Sequence, residues 1–258
     1  MGYEFQLLSL TGAALLLVFF LAGFVDAVCG GGGLLTVPAM LVAGIPTGLI
    51  TGTNQCATII GNFTAMGRYM KSGNICYRAA LVTTPFAIGG ALLGSRLNLL
   101  VPEKYLQLFM LAMIPILAAV MLLKRDVGSQ NHMDTLSSNA VMFWAALIGL
   151  VLGTYQGFYG PGAGMLFGLA YMLLVRLDCL SATASTRFVV AFASVSAGLS
   201  YALSNAVIWP LAASACVLNI LGSYVGAGFA IRFGGSIIRP MMLAVIALLF
   251  LRILFSVL

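Results

Sequence analysis

A run of glycines behind a single acid is the feature that most limits how this chain can fold. The stretch GFVDAVCGGGGLLTVP, residues 23–38, carries one carboxylate, Asp26, in otherwise apolar sequence, followed by four consecutive glycines. Because glycine is unfavourable in a helix interior, this run predicts a break between two helical segments. A near-echo, GTYQGFYGPGAG, lies about 130 residues later at residues 153–164.

The composition indicates the environment in which the chain folds. It is 62% hydrophobic and only 7% charged, whereas roughly a quarter of the residues of a soluble domain are charged. Apolar runs recur almost from end to end, so we expect an all-α polytopic membrane protein with the lipid bilayer as its partner. Loop charge in such a protein mostly reports topology, and the net charge of +6 therefore does not predict a nucleic-acid partner.

No catalytic chemistry is indicated by the sequence. It contains no GxxxxGK[ST], GxSxG or HExxH pattern, so nucleotide hydrolysis, serine hydrolysis and zinc chemistry all lack their residues. The five cysteines show neither a CxxC pair nor a framework spacing, and we expect no disulfide, metal site or cofactor. An enzyme is therefore not the predicted class.

The apolar segments fall into two halves of five. In the first half, repeat 1 over residues 1–123, helical candidates are 6–28, 34–46, 52–70, 78–97 and 104–123. A polar stretch, 124–138, is predicted to be a cytoplasmic linker. In the second half, repeat 2 over residues 139–258, the candidates are 139–159, 164–176, 184–204, 208–230 and 240–257.

The two halves also match residue by residue at an offset of about 132. The matches are TGTNQ at 51–55 with TASTR at 183–187, Tyr69 with Tyr201, Ser72 with Ser204, and Gly90xxxGly94 with Gly222xxxGly226. This periodicity predicts an internal duplication. The small-residue pairs are typical of close helix packing in lipid.

The second segment of each half is too short for an ordinary span. At 1.5 Å per residue, segment 34–46 covers roughly 20 Å, against a hydrocarbon core of about 30 Å. We therefore expect the first two segments of each repeat to form a hairpin whose Gly-rich tip lies within the membrane, where protein or a cavity can satisfy the broken backbone. A complete crossing by an upright first segment stays open.

Such a hairpin returns the chain to its starting side and leaves three crossings per half, which inverts the second repeat relative to the first. On this topology one side of the membrane receives Arg68, Lys71, Arg78, Lys124, Arg125, Arg176, Arg232 and Arg239. The other side receives Arg96, Lys104 and Arg252. The positive-inside rule makes the first side cytoplasmic and places both termini outside. Inverted repeats with broken helices are typical of secondary transporters.

Several motifs in order resemble one known family. They are GFVDAVCGGGGLLTVPAML, TGTNQ, GFYGPGAG, TASTR and LGSYVGAGFAIRFGGSIIRPMM. Together, over nearly the whole chain, they resemble the sulfite exporter TauE/SafE family, also called the toluene sulfonate uptake permeases. The resemblance implies a multi-pass inner-membrane transporter for sulfite, organosulfonates or related small sulfur-containing anions.

Two positions depart from the pattern of that family. Its members commonly have Asn-Lys where this chain has Asn54-Gln55, and Tyr-Asp-Gly where it has Tyr155-Gln156-Gly157. One acid and one base are thus replaced by glutamines, while Asp26 and Arg187 remain. Because an unpaired charge in a membrane costs about 2.5 to 3.5 kcal/mol, we infer that Asp26 faces Arg187 and that Gln55 faces Gln156.

An anion site can be written from these residues. The predicted substrate-binding residues are Asp26, Gly30, Gly31, Gly32, Gly33, Thr53, Asn54, Gln55, Gln156, Gly160, Gly162, Gly164, Thr186 and Arg187. Glycines would expose backbone N–H groups at helix N-termini, and Arg187 would donate to an oxyanion while the polar side chains complete the hydrogen bonding. Asp26 would orient Arg187 or carry a coupling proton.

Each of these roles has a simpler structural alternative. The glycines could serve close packing or a turn, and Asp26 could cap the N–H groups of the tip. Arg187 could be one more topology charge at the end of its helix, and the amide side chains could join helices. The function predicted is a secondary transporter, with an anion channel or a carrier of a non-sulfur organic anion as alternatives. Oligomeric state and the direction of transport stay open.

Overall fold

The computed structural model describes residues 10–102, 104–106, 133–238, 240–241 and 244. Over these residues the chain is helical and contains no strand, as expected. The helices are α1 (Leu10–Cys29), α2 (Gly33–Val42), α3 (Thr47–Ser72), α4 (Tyr77–Leu100), α5 (Ser138–Phe158), α6 (Ala163–Ala170, continued by a π-helical turn Tyr171–Val175), α7 (Cys179–Leu203) and α8 (Trp209–Phe233). The predicted segments 104–123 and 240–257 lie almost wholly outside the described residues.

Five of these helices are long and apolar enough to cross a membrane: α1 from Gly12 onward, α4, α5, α7 and α8. A multi-pass membrane protein is therefore confirmed. The helices α2 and α6 are shorter apolar segments, of 10 residues and, with the π-helical turn, 13 residues. They extend roughly 15 and 20 Å, less than the hydrocarbon thickness of about 30 Å.

Helix α3 is long but polar. Its 26 residues extend about 39 Å, yet it carries Thr51, Thr53, Asn54 and Gln55 within little more than one turn. All four of these side chains are buried. Polar groups cannot face lipid without large cost, so α3 is an interior helix whose polar groups are surrounded by protein.

Two pairs of parallel helices flank the centre. Helix α1 packs along α8, and the glycines Gly222 and Gly226 lie against the backbone of Phe20 and Phe24. Helix α4 packs in the same way along α5, where Gly90 and Gly94 lie against residues 150–158. A Cβ at any of these four glycines would overlap backbone, so both GxxxG pairs serve close packing, as predicted.

Helices α3 and α7 cross the centre in opposite directions. Gly52 near the start of α3 lies against Ala206, just beyond the end of α7. Further along α3, Asn62 accepts a hydrogen bond from Arg187 in the first half of α7. Helix α3 runs parallel to α8, where Gly61 and Arg68 contact Asn219 and Tyr224. Helix α7 runs parallel to α4, where Phe188 and Ser196 contact Tyr77 and Ile88. The set α1, α3 and α8 therefore runs opposite to the set α4, α5 and α7.

Helix α7 begins five residues earlier than the predicted segment 184–204. The carboxylate of Asp178 accepts hydrogen bonds from the N–H groups of Leu180 and Ser181, at 3.1 and 3.2 Å. This N-cap fixes the start of the helix at Cys179. As a result Arg187 lies more than two turns inside the helix rather than at its beginning.

Two hydrogen bonds place the α3–α4 connection, the segment before α5 and the α6–α7 connection at one end of the bundle. The N–H of Cys76 donates to Ser185, and Arg176 donates to Thr135 at 2.9 Å. The cations at this end are Arg68, Lys71, Arg78, Arg176 and Arg232. Arg96 lies toward the other end of α4, and Lys104 follows that helix, whereas residues 124, 125, 239 and 252 are outside the described part of the chain.

Candidate substrate site

Two tight turns interrupt the membrane helices. The first follows α1 at Gly30, whose φ is +87°, and the second follows α5 at Gly160 and Gly162, whose φ values are +88° and +76°. These angles lie in the left-handed region, which glycine adopts without a Cβ penalty. The predicted breaks in both glycine-rich stretches are thus confirmed.

The two turns contact each other at the centre of the molecule. The Gly30 carbonyl accepts a hydrogen bond from the Met165 N–H at 3.3 Å. A Cβ placed on Gly30 would overlap the backbone of Gly164, and a Cβ on Gly33 would lie 2.8 Å from the Cα of Pro161. Neither position has room for a side chain, so glycine is required for this approach.

A buried ion pair lies beside the turns. Arg187 Nη1 is 2.7 Å from Asp26 Oδ2, with side-chain exposures of 1% for Arg187 and 20% for Asp26. Arg187 also donates to Asn62 Oδ1 at 3.4 Å. The predicted Asp26–Arg187 pair is confirmed, and the alternative of Arg187 as a topology charge at the end of its helix is wrong.

Asp26 has two structural roles at once. Its second oxygen, Oδ1, accepts a hydrogen bond from the Gly32 N–H at 3.1 Å, so it also caps the first turn. Each charge of the pair would be costly to bury alone, and removing one partner leaves the other uncompensated. The pair therefore joins α7 to the end of α1 and keeps the centre electrically neutral.

The two glutamines meet in a different way from the one predicted. Gln55 Nε2 donates to the main-chain carbonyl of Gln156 at 2.8 Å, and not to its side chain. The Gln156 side chain instead donates from Nε2 to the Val190 carbonyl at 3.4 Å. Gln55 therefore donates to the main chain of Gln156 and not to its side-chain oxygen. The Gln156 amide oxygen, Oε1, has no hydrogen-bond partner in the protein.

A cavity of about 40 Å³ lies between the turns. Because a water molecule needs about 10 to 15 Å³ measured in this way, the cavity has room for roughly three water-sized groups. It is lined by Ala22, Asp26, Gly30, Gly32, Gly33, Asn54, Gln55, Thr58, Asn62, Gln156, Gly160, Gly162, Ala163, Gly164, Val190 and Asn219.

Most of the predicted site residues line this cavity, but four do not. The residues outside the lining are Gly31, Thr53, Thr186 and Arg187. The Thr53 hydroxyl accepts a hydrogen bond from the Ile208 N–H at 3.0 Å, which is a structural contact. Thr186 is buried with its hydroxyl unpartnered. Arg187 lies behind the lining, where it contacts the lining residues Asp26, Asn62 and Gly164.

Sequence reasoning missed six lining residues: Ala22, Thr58, Asn62, Ala163, Val190 and Asn219. Two of them had a readable signal, since Asn62 and Asn219 place an amide within apolar helical sequence. A buried amide in a membrane helix needs hydrogen-bond partners and marks a polar interior. The other four are small or apolar and carry no comparable signal.

The described residues contain no group of three or more His, Cys, Asp or Glu side chains placed to hold a metal ion. Among the described residues, five helices long and apolar enough to cross a membrane and two glycine turns surround a small polar cavity beside an ion pair. These features define a multi-pass membrane protein with an internal polar cavity. A site of this construction is typical of transporters.

The chain belongs to the sulfite exporter TauE/SafE family, whose family model matches residues 15–253. A probable membrane transporter protein, ORF9, from Sinorhizobium sp is 32% identical over 94% of this chain and 92% of its own length. The probable membrane transporter protein YfcA from Escherichia coli K12 is 26% identical over 98% and 93%. A probable membrane transporter protein from Haemophilus influenzae is 28% identical over 89% of both chains.

These relatives agree with the class that the fold indicates. The chain is a membrane transporter of this family and not an enzyme. No solved structure matches it significantly.

Proposed function

We propose that this protein is an inner-membrane secondary transporter for small sulfur-containing anions such as sulfite, organosulfonates or related compounds, coupled to proton movement. The proposal includes two inverted repeats, residues 1–123 and 139–258, joined by a cytoplasmic linker at 124–138. The family description supports the substrate class. The geometry of the cavity supports an anion as the ligand.

Backbone geometry supports the duplication. The described first half has three residues with positive φ, at Gly30, Gly44 and Gly73, and each has a positive-φ counterpart 130 or 132 residues later. The counterparts are Gly160, Arg176 and Asn205. Arg176 and Asn205 adopt this conformation although it is unfavourable for residues with a Cβ, which is expected if a duplicated backbone imposes it.

Matched hydrogen bonds and helix directions support the inversion. The Tyr69 hydroxyl donates to the Ala27 carbonyl at 2.9 Å, and its counterpart Tyr201 donates to the Gly157 carbonyl at 2.8 Å. Each tyrosine thus ties the third helix of a repeat to the last turn of the first. The equivalent helices α1 and α5, α3 and α7, and α4 and α8 run in opposite directions, as inverted repeats require.

The distribution of cations supports the orientation. The structure describes seven of the cations counted under the positive-inside rule. Five of the seven lie at the end of the bundle where α3 ends and α4 begins. Under the positive-inside rule this end faces the cytoplasm. Both termini are then outside the cytoplasm.

The observation that carries the anion proposal is the position of the cavity at the beginning of two helices. Gly32 and Gly33 at the start of α2, and Gly162 and Ala163 at the start of α6, all line it. Helix N-termini direct N–H groups and a partial positive charge toward such a point. The Asp26 carboxylate alone would repel an anion from these helix N-termini. Because Arg187 pairs with Asp26, the site carries no net negative charge.

Asp26 is the residue we assign to the coupling proton. Its carboxylate lines the cavity and is one-fifth exposed, whereas its partner Arg187 is fully buried. Protonation of Asp26 would release Arg187 toward the ligand and would change the charge of the site by one. Such a change can couple the binding of an anion to the binding of a proton.

Counterflow in liposomes containing the purified protein tests the function. Labelled sulfite outside should accumulate transiently when vesicles are loaded with unlabelled sulfite, thiosulfate or a small organosulfonate, and the rate should saturate. An Asn54→Leu variant should reduce this rate at least about tenfold because Asn54 lines the cavity and accepts from Thr36 at 2.6 Å. Thr64→Val, on the same helix but outside the cavity lining, is the matched control.

Two results would contradict the proposal. Unsaturable flux without counterflow would indicate a channel. Counterflow that responds to carboxylates but to none of the sulfur anions would indicate a carrier of a non-sulfur organic anion.

A further inference from the structure

Gln156 is a residue of the cavity lining whose side chain carries an unused hydrogen-bond acceptor. Gln156 lines the cavity, is 3% exposed, and its Oε1 has no hydrogen-bond partner in the protein. A buried acceptor without a donor costs free energy comparable to a lost hydrogen bond. A ligand that brings a donor to this oxygen would remove that cost.

The orientation of the amide is fixed by its other end. Nε2 of Gln156 donates to the main-chain carbonyl of Val190. Turning the amide over would place its oxygen against that carbonyl, where two acceptors would face each other without a donor. The oxygen therefore stays as the free end of Gln156.

The charges around the cavity discriminate between ligands of different charge. Asp26 on α1 is the ionisable residue of the lining, and the residues contributed by α2, α3, α5, α6, α7 and α8 are uncharged. Arg187 on α7 pairs with Asp26 from outside the lining. A doubly charged anion would bring two charges beside a carboxylate whose single counter-charge is already used.

We propose that the site binds its oxyanion in the protonated, singly charged form, and that Gln156 Oε1 accepts the hydrogen bond from the O–H group of the ligand. This inference rests on the proposed function and ranks its candidate substrates. Hydrogensulfite should bind more tightly than an organosulfonate, which is singly charged but has no O–H group, and more tightly than thiosulfate, which is a dianion near neutral pH. For sulfite the ligand is hydrogensulfite, HO–SO₂⁻, which has four non-hydrogen atoms. The proton bound to the substrate then crosses the membrane with it, in addition to the coupling proton assigned to Asp26.

The O–H group is the specificity determinant in this arrangement. An analogue that has a methyl group in its place leaves Oε1 without a donor. Sites built to bond a substrate hydroxyl reject such analogues more strongly than apolar pockets reject a change in size. The dianion lacks the same donor and adds a charge, so it should bind most weakly.

The first test uses the unmodified protein in liposomes with equal pH on both sides. The second ionisation of sulfurous acid falls near neutral pH, so hydrogensulfite is depleted as the pH rises. The KM for total sulfite should rise about tenfold for each pH unit above that ionisation, because tenfold less of the ligand remains. Methanesulfinate, CH₃–SO₂⁻, has the same shape and charge without the O–H, and it should inhibit about tenfold more weakly than hydrogensulfite.

Methanesulfinate also controls for titration of the protein. It stays singly charged over this pH range, so any change of its inhibition constant with pH reports protonation of the protein, and the KM for total sulfite should rise more steeply than this constant by about tenfold per pH unit. A KM for total sulfite that does not change with pH overturns the inference, as does inhibition by methanesulfinate equal to the binding of hydrogensulfite.

The second test replaces the acceptor by a side chain of similar length, in Gln156→Met. The KM for hydrogensulfite should rise about tenfold, while the inhibition constant of methanesulfinate should change by less than about twofold. An equal effect on both ligands, or on neither, overturns the role of Oε1. The unmodified protein decides the protonation state even where this variant does not fold.

Different results would overturn the proposed function and the proposed protonation state of the ligand. Counterflow of sulfite with a pH-independent KM removes this inference and leaves the proposed function intact. Absence of counterflow with every sulfur anion at every pH overturns both.

Discussion

The two glycine-rich turns have similar backbones but are held together by different groups. After α1, the Asp26 carboxylate caps the Gly32 N–H from within the preceding helix. After α5, the equivalent residue is Gln156, which makes no contact of this kind, and the Tyr155 hydroxyl instead donates to the Pro161 carbonyl at 2.9 Å. One turn is therefore stabilised by a charge and the other by a neutral hydroxyl.

If the two halves are the repeats that we propose, this difference explains how equivalent turns form a cavity with unequal sides. The charged turn needs a counter-charge, which Arg187 supplies from the opposite half. The neutral turn needs none, and its stabilisation by Tyr155 leaves the Gln156 amide free to line the cavity. The side chains opposite each other across the site also differ, since α3 contributes Thr58 where α7 contributes Val190.

Breaking the charged turn should have the largest effect. Replacing Arg187 by Gln leaves the Asp26 carboxylate buried without its counter-charge and should destabilise the protein by about 3 kcal/mol. We expect a marked fall in the amount of folded protein and in its thermal unfolding temperature, measured by size-exclusion chromatography in detergent.

The double variant Asp26→Asn/Arg187→Gln sharpens this prediction. Because it removes both charges together, it should recover most of the stability lost in the Arg187→Gln single variant. A cost of the double variant equal to the sum of the costs of Asp26→Asn and Arg187→Gln would mean that the pair contributes no coupling. A parallel Gln156→Asn change at the neutral turn should cost less than either single charge deletion.

An intermediate effect is expected from adding a methyl group to each turn. Gly30→Ala combines an unfavourable φ of +87° with overlap of the Gly164 backbone, and it should cost about 2 to 3 kcal/mol. Gly160→Ala has a nearly equal φ, but the nearest atom is the Gln55 amide nitrogen at 3.2 Å, which can move. Its cost should be about 1 to 2 kcal/mol.

Thermal unfolding of the two variants side by side measures this difference. Gly89→Ala is the control, since a Cβ at Gly89 meets no atom within 4 Å. Equal destabilisation at positions 30 and 160 would contradict the close contact between the turns.

The smallest effect should come from the helices that carry the site. Asn62→Ala removes an acceptor of Arg187 and should cost about 1 kcal/mol. The corresponding residue of α7 is Ser194, whose hydroxyl donates only to the Ala191 carbonyl of its own helix. Ser194→Ala should therefore change stability by less than about 0.5 kcal/mol, and a reversal of this order in thermal unfolding would contradict the unequal site.

Much of the fold could be predicted from the sequence because membrane burial requires long apolar runs and glycine marks the breaks. The boundaries of α7 could not be predicted as well, because Asp178 is a polar residue between two apolar segments and its role as an N-cap depends on local geometry. The pairing of Asp26 with Arg187 followed from the cost of an isolated charge in a membrane.

The details of the site could be predicted only in part. Glycines and polar residues in apolar sequence located most of the cavity lining, whereas small and apolar residues such as Ala22 and Val190 gave no signal. The partner of Gln55 was also unpredictable, because an amide can bond to a side chain or to any nearby main-chain carbonyl. Sequence spacing does not distinguish between these partners.

The central claim is that the two halves have opposite orientations and bring their turns together. Four exposed positions test it directly, in two equivalent pairs: Gly44 with Arg176, and Gly73 with Asn205. Each would be replaced singly by cysteine in a background without the five native cysteines, and intact cells would be treated with a membrane-impermeant maleimide.

The account predicts that cysteines at 44 and 205 react from outside, while those at 73 and 176 react only after the inner membrane is permeabilised. Labelling of both members of either pair from the same side would contradict the inverted arrangement.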